Sequence, residues 1–137
     1  MLIVPLVLVG CGGNTATADD FELKVTIEQK SFSPGNHISL TATLKNLSEY
    51  RLRIAYITLL YIEIPGVIKS PTVDGGGPIV KVIGAGEVIQ RGWTLRIPYE
   101  ISPGMYELIT YVRFTLNPGR SFAKNIELSN IDKITVI

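Results

Sequence analysis

Alternation of apolar and polar residues with a period of two is the feature of this 137-residue chain that most restricts its fold. In residues 21–28 four apolar side chains alternate with polar ones, and residues 38–45 repeat the pattern. Successive side chains of a β-strand point to opposite faces, so strict alternation indicates a strand with one buried and one solvated face. Both segments are therefore predicted to be strands of antiparallel sheets that cover a core.

Further strands are predicted along the rest of the chain. Residues 51–64 carry apolar side chains in both phases, which predicts either one long central strand or a bent pair of strands. The other predicted strands are residues 79–83, 88–97, 105–116, 122–128 and 131–137. No stretch shows the helical period together with helix caps.

Turn residues separate these strands. Pro-Gly pairs occur at residues 34–35, 65–66, 103–104 and 118–119. Proline presets φ for the first central position of a type II turn and glycine accepts the positive φ of the second, so each pair predicts such a turn. Residues 84–87 predict another turn, and residues 74–78 a flexible loop. Seven to nine short strands within residues 21–137 are typical of an all-β antiparallel β-sandwich.

One short motif adds a family resemblance. Pro103-Gly104-Met105-Tyr106, downstream of a Gly-Glu turn, resembles the Pro-Gly-x-Tyr that enters the penultimate strand of immunoglobulin-like domains in bacterial lipoproteins. It is also weakly similar to the BsuPI proteinase-inhibitor-like family. The resemblance implies an immunoglobulin-like sandwich in which Tyr106 forms a tyrosine corner, its hydroxyl bonded to upstream backbone. The cysteine pair of antibody domains is missing, so the resemblance concerns the fold.

The N-terminal segment predicts a membrane anchor. Residues 2–9 are all apolar, and this length suits a signal-peptide core of roughly 7–15 residues but not a membrane span of ~20. The following Leu8-Val9-Gly10-Cys11 resembles the lipobox of bacterial lipoproteins. The resemblance implies alkylation of the Cys11 thiol by a lipid, followed by cleavage between Gly10 and Cys11. Cys11 would then be a diacylated or triacylated N-terminus that carries fatty acids such as palmitate. Because two or more acyl chains hold a protein stably, we expect an extracytoplasmic, lipid-anchored protein.

The expected domain organisation has three parts. Residues 1–10 are the signal peptide, residues 11–20 the lipidated cysteine and a flexible tether, and residues 21–137 the sandwich. The tether is predicted because its small polar residues bury too little surface to fold. A signal peptide usually opens with a positive charge, whereas the first basic residue here is Lys24. The alternative is an apolar first strand with a buried free cysteine, which the glycines around Cys11 disfavour.

Composition argues against several kinds of chemistry. The net charge of +1 disfavours nucleic acid as a partner, since that partner requires a strongly basic face. A single cysteine forms no disulfide within the chain, and a single histidine, His37, cannot supply a zinc site. No hydroxyl near His37 has the setting of an activated nucleophile. We therefore expect no catalytic residues, no metal site and no cofactor.

Three residues are candidates for binding. Tyr61 and Tyr111 are out of phase with the apolar residues around them, which indicates exposure on a sheet face, where tyrosines bind sugars or proteins. We favour the other interpretation, in which both faces of the central strands are partly covered and the two tyrosines belong to the core. Asp74, in the loop 74–78, is the third candidate.

These observations favour a non-enzymatic protein-binding or structural module at the cell envelope. Its partners would be the membrane, through the lipid, and another envelope protein. The alternatives are a carbohydrate- or small-ligand-binding domain and a proteinase-inhibitor-like domain. An open sheet edge would favour protein binding, and an exposed aromatic platform would favour sugar binding.

Overall fold

The protein is an all-β sandwich, as the computed structural model describes it over residues 15–71 and 77–137. The strands are β1 (Phe21–Ile27), β2 (Ser31–Phe32), β3 (His37–Asn46), β4 (Leu52–Tyr56), β5 (Leu60–Ile64), β6 (Ile68–Ser70), β7 (Ile79–Ile83), β8 (Val88–Arg96), β9 (Gly104–Leu116) and β10 (Lys124–Val136). A short 3-10 helix, Ala18–Asp20, precedes β1. The predicted fold class, an immunoglobulin-like antiparallel β-sandwich, is confirmed.

Two sheets face each other across the core. The first sheet has the strand order β1-β3-β8. The second has the order β2-β10-β9-β4-β7. Strand β5 pairs with the same side of β9 as β4 does, farther along β9, and β6 pairs with β5. Ile54 of β4 lies opposite Leu116, whereas Leu60 of β5 lies opposite Val112. Residues 51–64 are thus a bent pair of strands, one of the two predicted alternatives.

The end of the chain differs from the prediction. Residues 122–128 and 131–137 were expected to be two strands, but they form the single strand β10. It pairs with β9 without a break, from Lys124 opposite Leu116 to Val136 opposite Gly104. The polar residues in its middle lack the apolar period, and pairing with a long neighbouring strand overrides that local signal. The strands β2 and β6 are too short to show any period.

Three of the four Pro-Gly turns are confirmed. Gly35, Gly66 and Gly119 have φ of 84°, 77° and 80°, and each turn is closed by an N–H···O=C bond of 2.9 to 3.3 Å. The fourth prediction is wrong. Gly104 has φ of 152° and is already the first residue of β9, opposite Val136 of β10. Pairing with β10 therefore replaces the turn at this position.

The tyrosine corner implied by the family resemblance is present. The Tyr106 hydroxyl donates a hydrogen bond of 2.6 Å to the carbonyl oxygen of Ser102, four residues upstream. Replacing Tyr106 with phenylalanine removes this bond alone and should lower the free energy of unfolding by about 0.5–1.5 kcal/mol. Urea denaturation measures the change. Tyr99→Phe, at a tyrosine that is 67% exposed, is the matched control and should leave the midpoint unchanged. Equal midpoints for both variants would contradict a stabilising corner.

The segment just before β1 is packed where the structure describes it. Ala16 is 3% exposed and belongs to the core cluster. Its carbonyl oxygen accepts a 2.9 Å hydrogen bond from Lys124 Nζ, and Thr17 forms a capping box with Asp20. Residues 16–20, expected to belong to a flexible tether, are therefore packed and capped, and residues 11–14 of that segment lie outside the described residues. The composition of the segment cannot show its contact with β10, which is distant in sequence.

Among the residues that the structure describes, two polar side chains are buried, those of Asn46 and Thr110. The Asn46 amide Nδ2 donates to the carbonyl oxygens of Tyr50 (2.7 Å), Ile83 (3.0 Å) and Gly84 (3.1 Å). Its Oδ1 accepts from the backbone N–H and the hydroxyl of Ser48. Asn46 thus joins the end of β3 to the next turn and to the β7–β8 connection. Thr110 Oγ1 has no hydrogen-bond partner among the described residues.

Candidate functional site

Two tyrosines meet on the outer face of the second sheet. Tyr61 of β5 lies directly opposite Tyr111 of β9, and their rings stack with centroids 5.1 Å apart and planes 9° from parallel. Their strand neighbours Leu60, Ile62 and Val112 belong to the core cluster, whereas the tyrosines do not. Because side chains alternate along a strand, the pair points away from the core.

Two cations flank the tyrosine pair. Arg113 Cζ lies 5.4 Å from the Tyr61 centroid and 5.1 Å from that of Tyr111, and Lys69 Nζ lies 5.9 and 5.7 Å from the same centroids. These distances are within the range of cation–π attraction. Arg113 Nε also donates a 2.6 Å hydrogen bond to Glu127 Oε1 on β10. The pair is therefore covered by charged side chains on two sides.

The same contacts shift the pKa values of both cations. The neighbouring Tyr111 side chain raises the pKa of Lys69. Hydrogen bonding to Glu127 raises the pKa of Arg113. Both shifts favour the charged form, so the two side chains stay cationic at neutral pH.

The burial of the tyrosines decides between the two interpretations. Tyr61 and Tyr111 are only 7% and 6% exposed, so the favoured prediction of burial is confirmed and exposure on a sheet face is wrong. The two side chains nevertheless lie outside the central core cluster. The apolar stems of long cationic side chains cover aromatic surface while the charge remains in water, which a periodicity argument does not capture. The two rings do not form an open aromatic platform.

A groove lies beside the tyrosine pair. It has a volume of about 550 Å³ and opens beside the segment between the end of β4 and the start of β5. Residues 55–58 form one wall, and segments of β9 and β10 form the floor. The lining residues are Ala55, Tyr56, Ile57, Thr58, Tyr61, Pro78, Arg113, Phe114, Thr115, Asn125, Ile126 and Glu127. Arg113 is therefore shared by the groove and the tyrosine pair.

Strand β7 forms one edge of the second sheet. It pairs with β4 on one side, and no described strand pairs with its other side. Three of its five residues are exposed aliphatics: Ile79 (51%), Val80 (51%) and Val82 (39%). Lys81 is the one charged residue of this strand.

The remaining predicted sites gain no structural support. Gly10, Cys11 and Asp74 lie outside the described residues, as does the predicted signal peptide. His37 is exposed at the start of β3 opposite Arg96. Over residues 15–71 and 77–137, no three His, Cys, Asp or Glu side chains are grouped so as to hold a metal ion. Within the same ranges, no helix is long and apolar enough to cross a membrane.

Sequence reasoning missed Lys69, Arg113, Glu127 and the β7 edge. A signal was present for Arg113, which follows Tyr111 by two residues and so shares its face. Placing Glu127 beside Arg113 requires the β9–β10 register, and recognising β7 as an edge requires the strand order.

Comparison with known proteins agrees with the fold. No family model matches the chain, and no curated protein matches its sequence. Among solved structures it is similar to the CARDB domain of the PF1109 protein from Pyrococcus furiosus, solved in complex with di-metal ions (TM-score 0.51, 13% identity). That alignment covers 86% of this chain and 88% of the other. Similarity also extends to the structural-genomics target SoR45 (TM-score 0.50, 14% identity, 88% and 90% covered).

A third similar structure is Spo0M, a sporulation control protein from Bacillus subtilis, with a TM-score of 0.50 and 18% identity. The alignment covers 85% of this chain and 49% of Spo0M, so this chain spans about half the length of that protein. At these identities the likeness shows a shared small all-β fold.

Proposed function

We propose that this protein is a non-enzymatic binding module that takes up an extended segment of a partner protein along the edge of β7. The observation that carries the proposal is the open side of β7 together with its exposed aliphatic side chains. A strand at a sheet edge presents unpaired backbone N–H and C=O groups, and an added strand satisfies them. Val80 and Val82 share the outer face of β7 and would contact alternate side chains of the partner.

The other sheet edges are less suited to strand addition. Edge strands β2 and β6 have two and three residues. Strand β1 carries an exposed ion pair between Glu22 and Lys24, and such charges discourage pairing. Strand β8 contains Gly92 in its middle, next to Arg91, which reaches across to the Tyr56 hydroxyl of the second sheet at 3.2 Å. Strand β7 has five residues and a single charge.

We propose further that the module is held at a bacterial membrane through Cys11. The support is the lipobox-like sequence Leu8-Val9-Gly10-Cys11 after an apolar run. Ala16 packs into the sandwich, so few residues separate the proposed lipid from the domain. The partner would then lie at the envelope, close to the membrane surface. The weak similarity to the BsuPI proteinase-inhibitor-like family remains a prediction from the sequence.

The strand-addition proposal is tested by crosslinking in native membranes followed by affinity isolation. Val80→Lys combined with Val82→Lys places two charges on the β7 edge. Ile131→Lys, at a 56% exposed residue on the outer face of β10, is the matched control. We expect the wild type and the control to capture a partner protein, and the amount captured to fall at least tenfold with the edge variant. Capture that is unchanged in a folded edge variant, or absent from the wild type, would refute strand addition at β7.

Membrane attachment is tested separately. Cys11→Ala removes the only thiol and should move the protein from the membrane fraction to the soluble or precursor pool. A wild-type protein found soluble with residues 1–10 still attached would contradict the anchor.

A further inference from the structure

We infer that the groove beside Tyr61 binds a neutral, hydroxyl-rich ligand, namely a sugar residue or a short oligosaccharide. This site is distinct from the β7 edge. The groove lies on the outer face of the second sheet, between the wall of residues 55–58 and the strands β9 and β10. Its volume of about 550 Å³ falls in the range of roughly 300–1,000 Å³ typical of small-molecule sites.

The charges of the groove select for a neutral ligand. Arg113 and Glu127 are the charged residues of its lining, and they form an ion pair at 2.6 Å. Each therefore compensates the other, and the lining carries no net charge. Lys69 flanks the tyrosine pair but does not line the groove. An anionic or cationic ligand would leave one member of the ion pair opposed by a like charge.

The same ion pair supplies hydrogen bonds suited to adjacent hydroxyls. The guanidinium of Arg113 has five N–H donors, and its bond to Glu127 uses the Nε–H alone. The second carboxylate oxygen of Glu127 remains an acceptor. Both groups are planar and bind in a bidentate manner, so together they match the paired donors and acceptors of neighbouring sugar hydroxyls. Both side chains are about half exposed, at 52% and 54%, and so are accessible to a ligand.

Further polar and apolar groups complete the lining. The Thr115 hydroxyl donates to Asn125 Oδ1 at 3.1 Å, which leaves the Asn125 amide NH₂ as a donor. Thr58 adds another hydroxyl to the wall. Ile57, which is 45% exposed, and Pro78 provide apolar surface for the C–H face of a sugar ring. An amphipathic lining of this kind fits a ligand that has hydroxyls at its rim and C–H groups on its faces.

The test is a titration of the ¹⁵N-labelled protein with maltose, cellobiose and N,N′-diacetylchitobiose, followed by NMR. We expect saturable shifts at Thr58, Asn125 and the Arg113 Nε–H with at least one of the three. Glu127→Gln keeps the shape of the side chain and removes an acceptor charge, and it should weaken binding by at least about tenfold. Glu22→Gln, in the exposed ion pair of β1, is the matched control and should leave the affinity unchanged.

The remaining outcomes separate this inference from the proposed function. The β7-edge variant should keep its affinity for the sugar, because Val80 and Val82 do not line the groove. Sugar binding without partner capture would support the groove and refute strand addition. No shifts with any of the three sugars, or equal affinity of Glu127→Gln and wild type, would overturn the inference. Binding of digalacturonate instead of the neutral sugars would overturn the neutral ligand class.

Discussion

Replacing Asn46 with alanine should lower the free energy of unfolding by roughly 3–5 kcal/mol. The side chain is fully buried: its two N–H groups serve three carbonyl oxygens, so that one N–H is shared, and its Oδ1 accepts two further bonds. Alanine removes them all, including the buried bond to the Ile83 carbonyl oxygen, whereas the Tyr50 carbonyl keeps the Ser48 hydroxyl as a donor. Each buried unsatisfied group costs about 1–3 kcal/mol, and entry of water at the partly buried positions near Tyr50 reduces the sum. Urea denaturation with an unchanged m-value would measure the loss.

Asn36→Ala is the matched control for this prediction. Asn36 accepts a hydrogen bond of 2.8 Å from the Ser33 N–H in an exposed turn, where water replaces the lost partner. We expect it to cost less than about 1 kcal/mol. If Asn46→Ala and Asn36→Ala shift the urea midpoint equally, the interior network around Asn46 does not stabilise the junction of β3 with the β7–β8 connection.

Tyr111→Ala should be the second large effect, at about 3 kcal/mol of lost stability. The ring is 6% exposed and stacks on Tyr61, and truncating a buried aromatic side chain typically costs about 3–5 kcal/mol. We place the expected loss of stability at the low end of this range because the pair lies on the outer face, where the gap left by the ring is open to water. Thermal and urea denaturation would both show the change. Tyr99→Ala, at a mostly exposed tyrosine, should cost far less.

A double-mutant cycle isolates the stacking contribution. Tyr61→Ala combined with Tyr111→Ala should be less destabilising than the sum of the two single variants, with a coupling of about 0.5–1.5 kcal/mol. Strict additivity would contradict a stabilising stack. Ligand binding by either variant must therefore be measured on folded protein, because Tyr61 lines the groove and Tyr111 stacks on Tyr61.

The sequence predicted the strands whose side chains alternate and the turns whose chemistry is local. β1 and β3 follow directly from their period, and three Pro-Gly turns follow from the φ values that proline and glycine adopt. The corner at Tyr106 was implied by a four-residue motif, because its partner Ser102 is close in sequence. Features decided within a few residues were thus accessible.

Features that depend on contacts between distant strands could not be predicted from the sequence. The Arg113–Glu127 ion pair joins residues of two strands and depends on their register, and Asn46 bonds to carbonyl groups 37 and 38 residues away. The burial of Tyr111 depends on where Lys69 lies, which the periodicity of β9 cannot report. The continuity of β10 was likewise hidden, since its middle residues are polar and only the pairing with β9 shows the strand.

The parallel pairing of β2 with β10 has a mechanical consequence. These strands come from opposite ends of the domain and are joined by bonds from Thr135 N–H to the Lys30 oxygen (2.8 Å) and from Ile137 N–H to the Phe32 oxygen (2.9 Å). Tension between the two ends of a parallel pair acts along the strands, so these bonds are sheared together instead of opening one by one. A force applied between β2 and the last strand would therefore load this pair in shear before β10 separates from β9.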